Sequence, residues 1–493
     1  MDVFKYTLLL ITWLVTVTLT GCTKLVEVDP PATSLVSDAV FTANETAISA
    51  ITGVYSQMSN AYEAIEPSLL NLSLVAGLSA DELTLSSDNA GLLAYYTNRL
   101  TSSPALSIDY WRNIYSPYIY ISNVAIKQLE KATTYEQNSQ VSLLNEGTRK
   151  QLLGEMQFFR AFCYFYLVQL YGDVPLLLTP DYIENSTNGR TSKALVYEQM
   201  IKDLLAAQAN LNSAYVEADV ITTKNTSARI RPIKGAATAL LARIYLYNGN
   251  YAAAEQQALT LIQNTNQYRL VGVDSIMRVN NPEAIWQLQS VVDGRNSHEG
   301  WFFVLPETGP TTGANTSNPV YLNRRFLDVF ETGDIRKMSW INSVTVDGVQ
   351  YYYPYKYKSA QLYAEITEYT TVFRLAEQYL ICAEARARMN NLSGADSMLN
   401  VIRRRAGLAG VSFGSQEEVI KSIMHERQVE LFTEWGHRWF DLKRTGMVDA
   451  VMEKETPLKG GSSWMSYQQL CPIPISDIQL IPALRGQQNP GYE

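Results

Sequence analysis

Residues 425–444 read H-E-R-Q-V-E-L-F-T-E-W-G-H-R-W-F-D-L-K-R, and this stretch decides the fold. At helical spacing Ile423, Arg427, Glu430, Leu431 and Glu434 share one face, so charged groups occupy the stripe that is normally apolar. Charges placed there are costly unless they pair. Gly436 predicts a left-handed stop, and Arg438, Asp441 and Arg444 recur three apart, as in a second, short helix. Interleaved with Trp435, Trp439 and Phe440, these charges predict a partly buried ion network that fixes how two helices meet. Glu426, Glu430 and Glu434 are the candidates for acid–base chemistry. Arginines within helical reach lower a carboxylate pKa, the opposite of what a general acid needs.

Outward from this stretch, the 493 residues are 46% hydrophobic and 18% charged, enough apolar matter for a large core and too much for disorder. A net charge of -8, with no Lys/Arg run longer than Arg403-Arg404-Arg405, argues against nucleic acid as a partner. The 31 tyrosines against 14 phenylalanines favour an aromatic surface that faces water. Cys22, Cys163, Cys382 and Cys471 are too far apart for a metal-ligand or redox pair, and Cys163 and Cys382 sit in apolar helical patterns as small core residues. Three histidines, His298, His425 and His437, form no ligand spacing. Nucleophile elbow, Walker and dinucleotide motifs are missing, so the expectation is no metal, no cofactor and no enzyme. Glycoside hydrolysis stays open, because its carboxylates need only the right separation in space.

Tyr6 to Thr20 is an uncharged run of signal-peptide length, followed by Leu19-Thr20-Gly21-Cys22, the pattern of a bacterial lipoprotein signal. Residues 1–21 are expected to be removed and Cys22 to be acylated, with T-K-L-V-E-V-D-P-P as a leader away from the membrane.

Ser37 to Met58 has helical spacing, Ala80 to Tyr96 reads as a loop, and Pro117 kinks or delays the helix after Trp111. Gly147 to Tyr171 has a wide apolar face at Phe158, Phe159, Phe162, Phe165 and Tyr166 and stops at Gly172. Ala236 to Ile262, with its Gly249-Asn250 turn, is a helical hairpin of the tetratricopeptide kind; a second copy begins near Leu375 and turns at Asn390-Asn391. The predicted fold is mostly α, an interrupted tetratricopeptide-like array of about four helix pairs near 111–171, 196–248, 250–389 and 393–436. A loop-rich insert at about 267–370 carries minor β-hairpins, with Pro354 confining Tyr351 to Lys358 to an edge strand. The proline-rich carboxyl end reads as an irregular strap over the surface.

Four pieces in order resemble the SusD/RagB family. Gly154, Glu155, Phe158, Arg160 and Ala161 match its Gly-Glu-x-x-Phe-x-Arg-Ala helix, ending at Gly172, Asp173 and Pro175. Glu426, Arg427, Glu430, Leu431, Glu434, Gly436, Arg438, Asp441, Leu442 and Arg444 match its late helix, with Trp435 inserted before Gly436. Pro472 to Pro474, Asp477-Ile478 and Gln488 to Tyr492 match its closing segment. The resemblance implies a single helical domain over 22–493 and an outer-membrane lipoprotein facing the cell exterior. Its partners would be a TonB-dependent, SusC-like transporter and an oligosaccharide or polysaccharide ligand. Some relatives bind peptides, so peptide capture is the alternative, and a surface glycosidase is a third reading. The expected ligand residues lie on the Asp81–Tyr96 loop and in the insert: Asp81, Tyr95, Tyr96, Trp301, Asn315 and Tyr321.

Overall fold

A computed structural model describes residues 38–60, 68–103, 109–135, 144–223, 227–314 and 317–492. The expected signal segment, Cys22 and Asn315 lie outside these. Among the described residues no helix is long and apolar enough to cross a membrane.

The scaffold is the helical array that the periodicity predicts. Tyr110–Ile114 and Tyr120–Tyr135 run into Glu146–Tyr171, which packs on Lys193–Asn210; this in turn meets Lys234–Tyr247. Glu146–Tyr171 is the central element. Every residue from Gln151 to Tyr171 is buried, so the helix is enclosed on all sides and not merely along one stripe. Phe158 and Phe162 meet Trp286 and Phe373 edge to face at ring distances of 5.2 to 6.3 Å. Its close neighbours need Gly154, where a Cβ would come within 2.8 Å of Leu211. Gly172 then ends the helix with φ +76°.

The two tetratricopeptide-like copies, separated in sequence by the insert, are stacked in space. Tyr251–Gln263 packs directly on Leu375–Arg388, sharing a small-residue core of Ala254, Ala258, Ile381, Cys382 and Ala385. Both hairpins turn in the same way. Gly249 and Asn390 take positive φ, and the next residues, Asn250 and Asn391, cap the second helix by accepting from Ala253 N and Gly394 N. Leu392–Arg405 and Gln416–Glu430 complete the array.

The insert is more structured than its composition suggests. Ala284–Leu288 pairs antiparallel with Thr370–Arg374, and Val320–Leu322 pairs with Leu83–Leu85 of the segment expected to be a loop. Ile341–Val346 and Val349–Pro354 form a hairpin whose Asp347-Gly348 turn has positive φ at both residues. The strand ends at Pro354, which corrects the expected strand through Lys358; Lys356 and Tyr357 turn inward and are buried. The segment after Ala80 also departs from a loop, since Ala90–Tyr96 is a helix capped by Asn89. At the other end, the strap holds a short helix, Ile475–Leu480, and is tied into the core. Gln488 exchanges two hydrogen bonds with the backbone of Ile473, and Asn489 donates to the carbonyls of Tyr171 and Cys471.

Candidate functional site

The helix Gln416–Glu430 ends earlier than its periodicity implies. Thr433, Trp435 and Gly436 all take positive φ, and this left-handed stretch accommodates the inserted Trp435 and swings Glu434 off the helix face. Gly436 is required twice over, because a Cβ there would also lie 2.9 Å from that of Ala76.

The expected ion network forms around this break, with Arg336 and Lys356 drawn from the insert, Arg374 from its boundary and Arg405, Arg427 and Arg444 from the helices themselves. Glu430 is completely buried and accepts from Arg336 at 2.9 Å, from Arg374 at 2.5 Å and from Arg405. Glu434 accepts from Arg374 at 2.7 Å and from Lys356. Asp441 sits between Arg427 and Arg444, each at 2.7 Å. Burial works to raise the carboxyl pKa of Glu430 and Glu434, but the facing cations outweigh it and hold both below the ordinary range. Glu426 goes the other way: burial raises its carboxyl despite Arg336 and Arg403. All three are buried, and through Arg336 and Lys356 the network locks the insert onto the array.

Burial also raises the carboxyls of Glu155, Glu368 and Asp109, and it carries two glutamates into the neutral range, Glu82 to about 8 and Glu299 to about 7. Raised carboxyls are what acid catalysis would use. Both, however, are 2% exposed: Glu82 faces the Thr433 amide, and Glu299 accepts from Thr370 Oγ1 at 2.6 Å.

The expected ligand residues divide. Asp81 gives both carboxylate oxygens to Arg438, at 2.8 and 2.6 Å, which ties the Leu83–Leu85 strand to the His437–Arg444 helix. Tyr95 is 3% exposed and turned into the core beside Tyr110, Tyr171 and Cys471. Successive residues at the end of a short helix point apart, so Tyr95 and Tyr96 could not both face outward.

Tyr96 and Tyr321 do come together. Tyr321 lies across the strand pair from Thr84, and Thr84 bonds to the Tyr96 hydroxyl. Tyr351, which sequence reasoning missed, meets Tyr321 edge to face with ring centroids 5.1 Å apart. Trp301 is half-buried with the Arg295 guanidinium 4.4 Å over its ring. Its loop is pinned to the same region, because Asn318 donates to the carbonyls of Trp301, Phe302 and Val304 while Pro319 accepts from Ser86 N. The signal for Tyr351 was the alternation of Y-Y-Y-P, which places alternate tyrosines on one strand face. Burial and the neighbouring phenols raise the Tyr321 pKa, so its hydroxyl stays neutral and can both donate and accept.

A helical-repeat scaffold that carries four half-buried aromatic residues on two short helices and two strands defines a protein of the tetratricopeptide-like class. A family model described as "SusD family" matches residues 296–492, and one described as "Starch-binding associating with outer membrane" matches residues 38–246. SusD-like protein P25 of Formosa agariphila is 25% identical, covering 94% of this chain and 95% of its own. Among solved structures, a laminarin-binding SusD-like protein superposes with a TM-score of 0.69 at 20% identity, covering 91% of this chain and 99% of its own. Surface glycan-binding protein A from Bacteroides fluxus gives 0.70 at 20% identity, covering 91% and 100%. The chain belongs to the SusD/RagB family.

Proposed function

We propose that this protein is a non-catalytic lipoprotein of the outer cell surface that captures an oligosaccharide or polysaccharide and passes it to a TonB-dependent, SusC-like transporter. The observation that carries the reading is the gathering of Tyr96, Tyr321 and Tyr351, with Trp301 nearby, on short helices and strands fixed to a helical frame. Flat aromatic faces pack on the C–H faces of sugar rings, and phenol, guanidinium and amide groups bond to hydroxyls. The names of two structural relatives, laminarin-binding and surface glycan-binding, support the ligand class. The family description that mentions the outer membrane supports the location. Burial of Glu82 and Glu299 supports binding without turnover at those two carboxyls. Asn315 is proposed as a further ligand residue and lies outside the described residues.

The test is retention by a panel of polysaccharides in native gels, using protein from Lys24 onward, with a Tyr96→Ala/Trp301→Ala/Tyr321→Ala variant beside it. At least one neutral polysaccharide is expected to retard the wild type, and the variant is expected to lose ten-fold or more in affinity. Binding to oligopeptides and to no glycan would replace the reading with peptide capture; release of reducing sugar would make the protein a glycosidase. In the producing cell Cys22→Ala is expected to release the protein from the membrane fraction, and full retention would count against the anchor.

A further inference from the structure

A cavity of about 620 Å³ is lined by residues other than those of the aromatic face. Its walls come from residues 109–123, 175–188 and 477–484, none of which carries a residue of that face. Its size falls in the range of about 300 to 1,000 Å³ typical of small-ligand sites.

The cavity owes its shape to an irregularity legible in the sequence. Pro117 falls where a regular helix would run, and the chain answers with a π turn at Tyr115–Ile119 between two α-helical stretches. Single π turns recur at functional sites because the extra residue per turn pushes side chains out of the regular ladder. Here Tyr115, Ser116, Pro117 and Ile119 all line the cavity.

Its chemistry is mixed. Tyr115 and Tyr120 bring aromatic rings to the lining, together with Leu177 and Leu484. Arg112 donates Nε to Asp477 at 2.8 Å and Nη2 to Ser476 at 2.8 Å, leaving the rest of its guanidinium for a ligand. Asp109, Asn113 and Asn188 bring further acceptors and donors, and Asn185 Oδ1 is buried without a partner among the described residues.

We propose that this cavity is a second sugar site, taking one or two rings of a neutral oligosaccharide. A hydroxyl both donates and accepts, so it suits a wall that mixes carboxylate, guanidinium and amide groups. Two carboxylates against one guanidinium leave the site with a net negative charge, which disfavours uronates and sulfated sugars. A peptide is the poorer fit. The lining elements are helices and loops without a strand edge among the described residues, so a peptide backbone would find no ladder to join.

The inference rests on the glycan reading of the protein, and its test separates the two. Hydrogen exchange of residues 109–123 and 177–188 is followed in the protein from Lys24 onward. The probes are neutral disaccharides of glucose, mannose, galactose and xylose, with a digalacturonate and trialanine as controls. At least one neutral disaccharide is expected to slow exchange in these segments, both in the wild type and in Tyr96→Ala/Tyr321→Ala. Tyr120→Ala/Asn188→Ala, or Ser116→Trp as a variant that fills the cavity, is expected to weaken that protection at least ten-fold while retention of polysaccharide is unchanged. Protection by none of the neutral disaccharides, protection that survives both cavity variants, or a preference for digalacturonate or trialanine overturns the second site. Loss of polysaccharide retention in Tyr96→Ala/Tyr321→Ala speaks to the aromatic face alone.

Discussion

Two glutamates in one core have opposite fates, and the difference is how many cations each one faces. Glu430 is surrounded by Arg336, Arg374 and Arg405 and stays ionised; Glu299 has a hydroxyl from Thr370 and burial, and its carboxyl rises from 4.5 to about 7. A carboxyl raised in the folded state binds its proton more tightly there than in the unfolded chain. Its stabilising contribution is therefore whole below about pH 4.5 and is lost as pH climbs through 7. At 1.36 kcal/mol per unit the shift corresponds to about 3 kcal/mol. Glu299→Gln removes the titration and keeps the shape. The variant is expected to gain stability relative to wild type between pH 5 and pH 8, by up to that amount, in urea unfolding at the two pH values. Glu82, raised to about 8, gives a slope of the same sign, so the variant should flatten the pH profile without abolishing it. An unchanged difference between pH 5 and pH 8 would mean that Glu299 is ionised in its pocket.

At the scale of elements, the matching turns of the two tetratricopeptide-like hairpins make a local rule testable. Asn391 accepts from Gly394 N at 3.1 Å, and removing such a cap costs about 1 kcal/mol. Asn391→Ala is expected to lower the unfolding free energy by about that amount, and Asn391→Asp to restore most of it; equal losses in both would point to packing in place of capping. These caps, the Gly172 stop and the helix pairing were legible because each is set within a few residues or by one period. The pairing of Tyr251–Gln263 with Leu375–Arg388 was readable across the insert because small alanines mark both partners. Elements decided by distant neighbours were not. Leu83–Leu85 is a strand only because Val320–Leu322 lies beside it, and Lys356 turns inward because Glu434 and the carbonyls of Glu430 and Phe432 await it. Tyr95 and Tyr96 are indistinguishable in sequence and are sorted by which side of a seven-residue helix meets the core. The candidate face was thus legible as two loops, while the tyrosines that form it depended on strand register.

At the scale of the molecule, the insert and the helical array are cross-linked by charge, which decides how the protein unfolds. Asp334, Arg336 and Lys356 come from the insert and Arg374 from its boundary, while Glu426, Glu430 and Glu434 come from the end of the array. Opening either part leaves several charges buried without partners, and losing one member of such a pair costs about 3 to 5 kcal/mol. A partly unfolded state would incur that cost more than once, so the insert has no stable existence apart from the array. We therefore expect a chain from Lys24 onward to melt in one calorimetric transition, with calorimetric and van't Hoff enthalpies in agreement. Glu430→Ala is expected to move that transition down while keeping it single, because the uncompensated arginines destabilise the array and the insert together. Two resolved transitions, or an insert that exchanges its amide hydrogens long before the tetratricopeptide-like helices do, would show that the aromatic face rides on a separately folding unit. The distinction bears on binding. A face built into the cooperative core is held rigid before a sugar arrives, and the ordering cost that weakens glycan capture by mobile loops is already met when the chain folds.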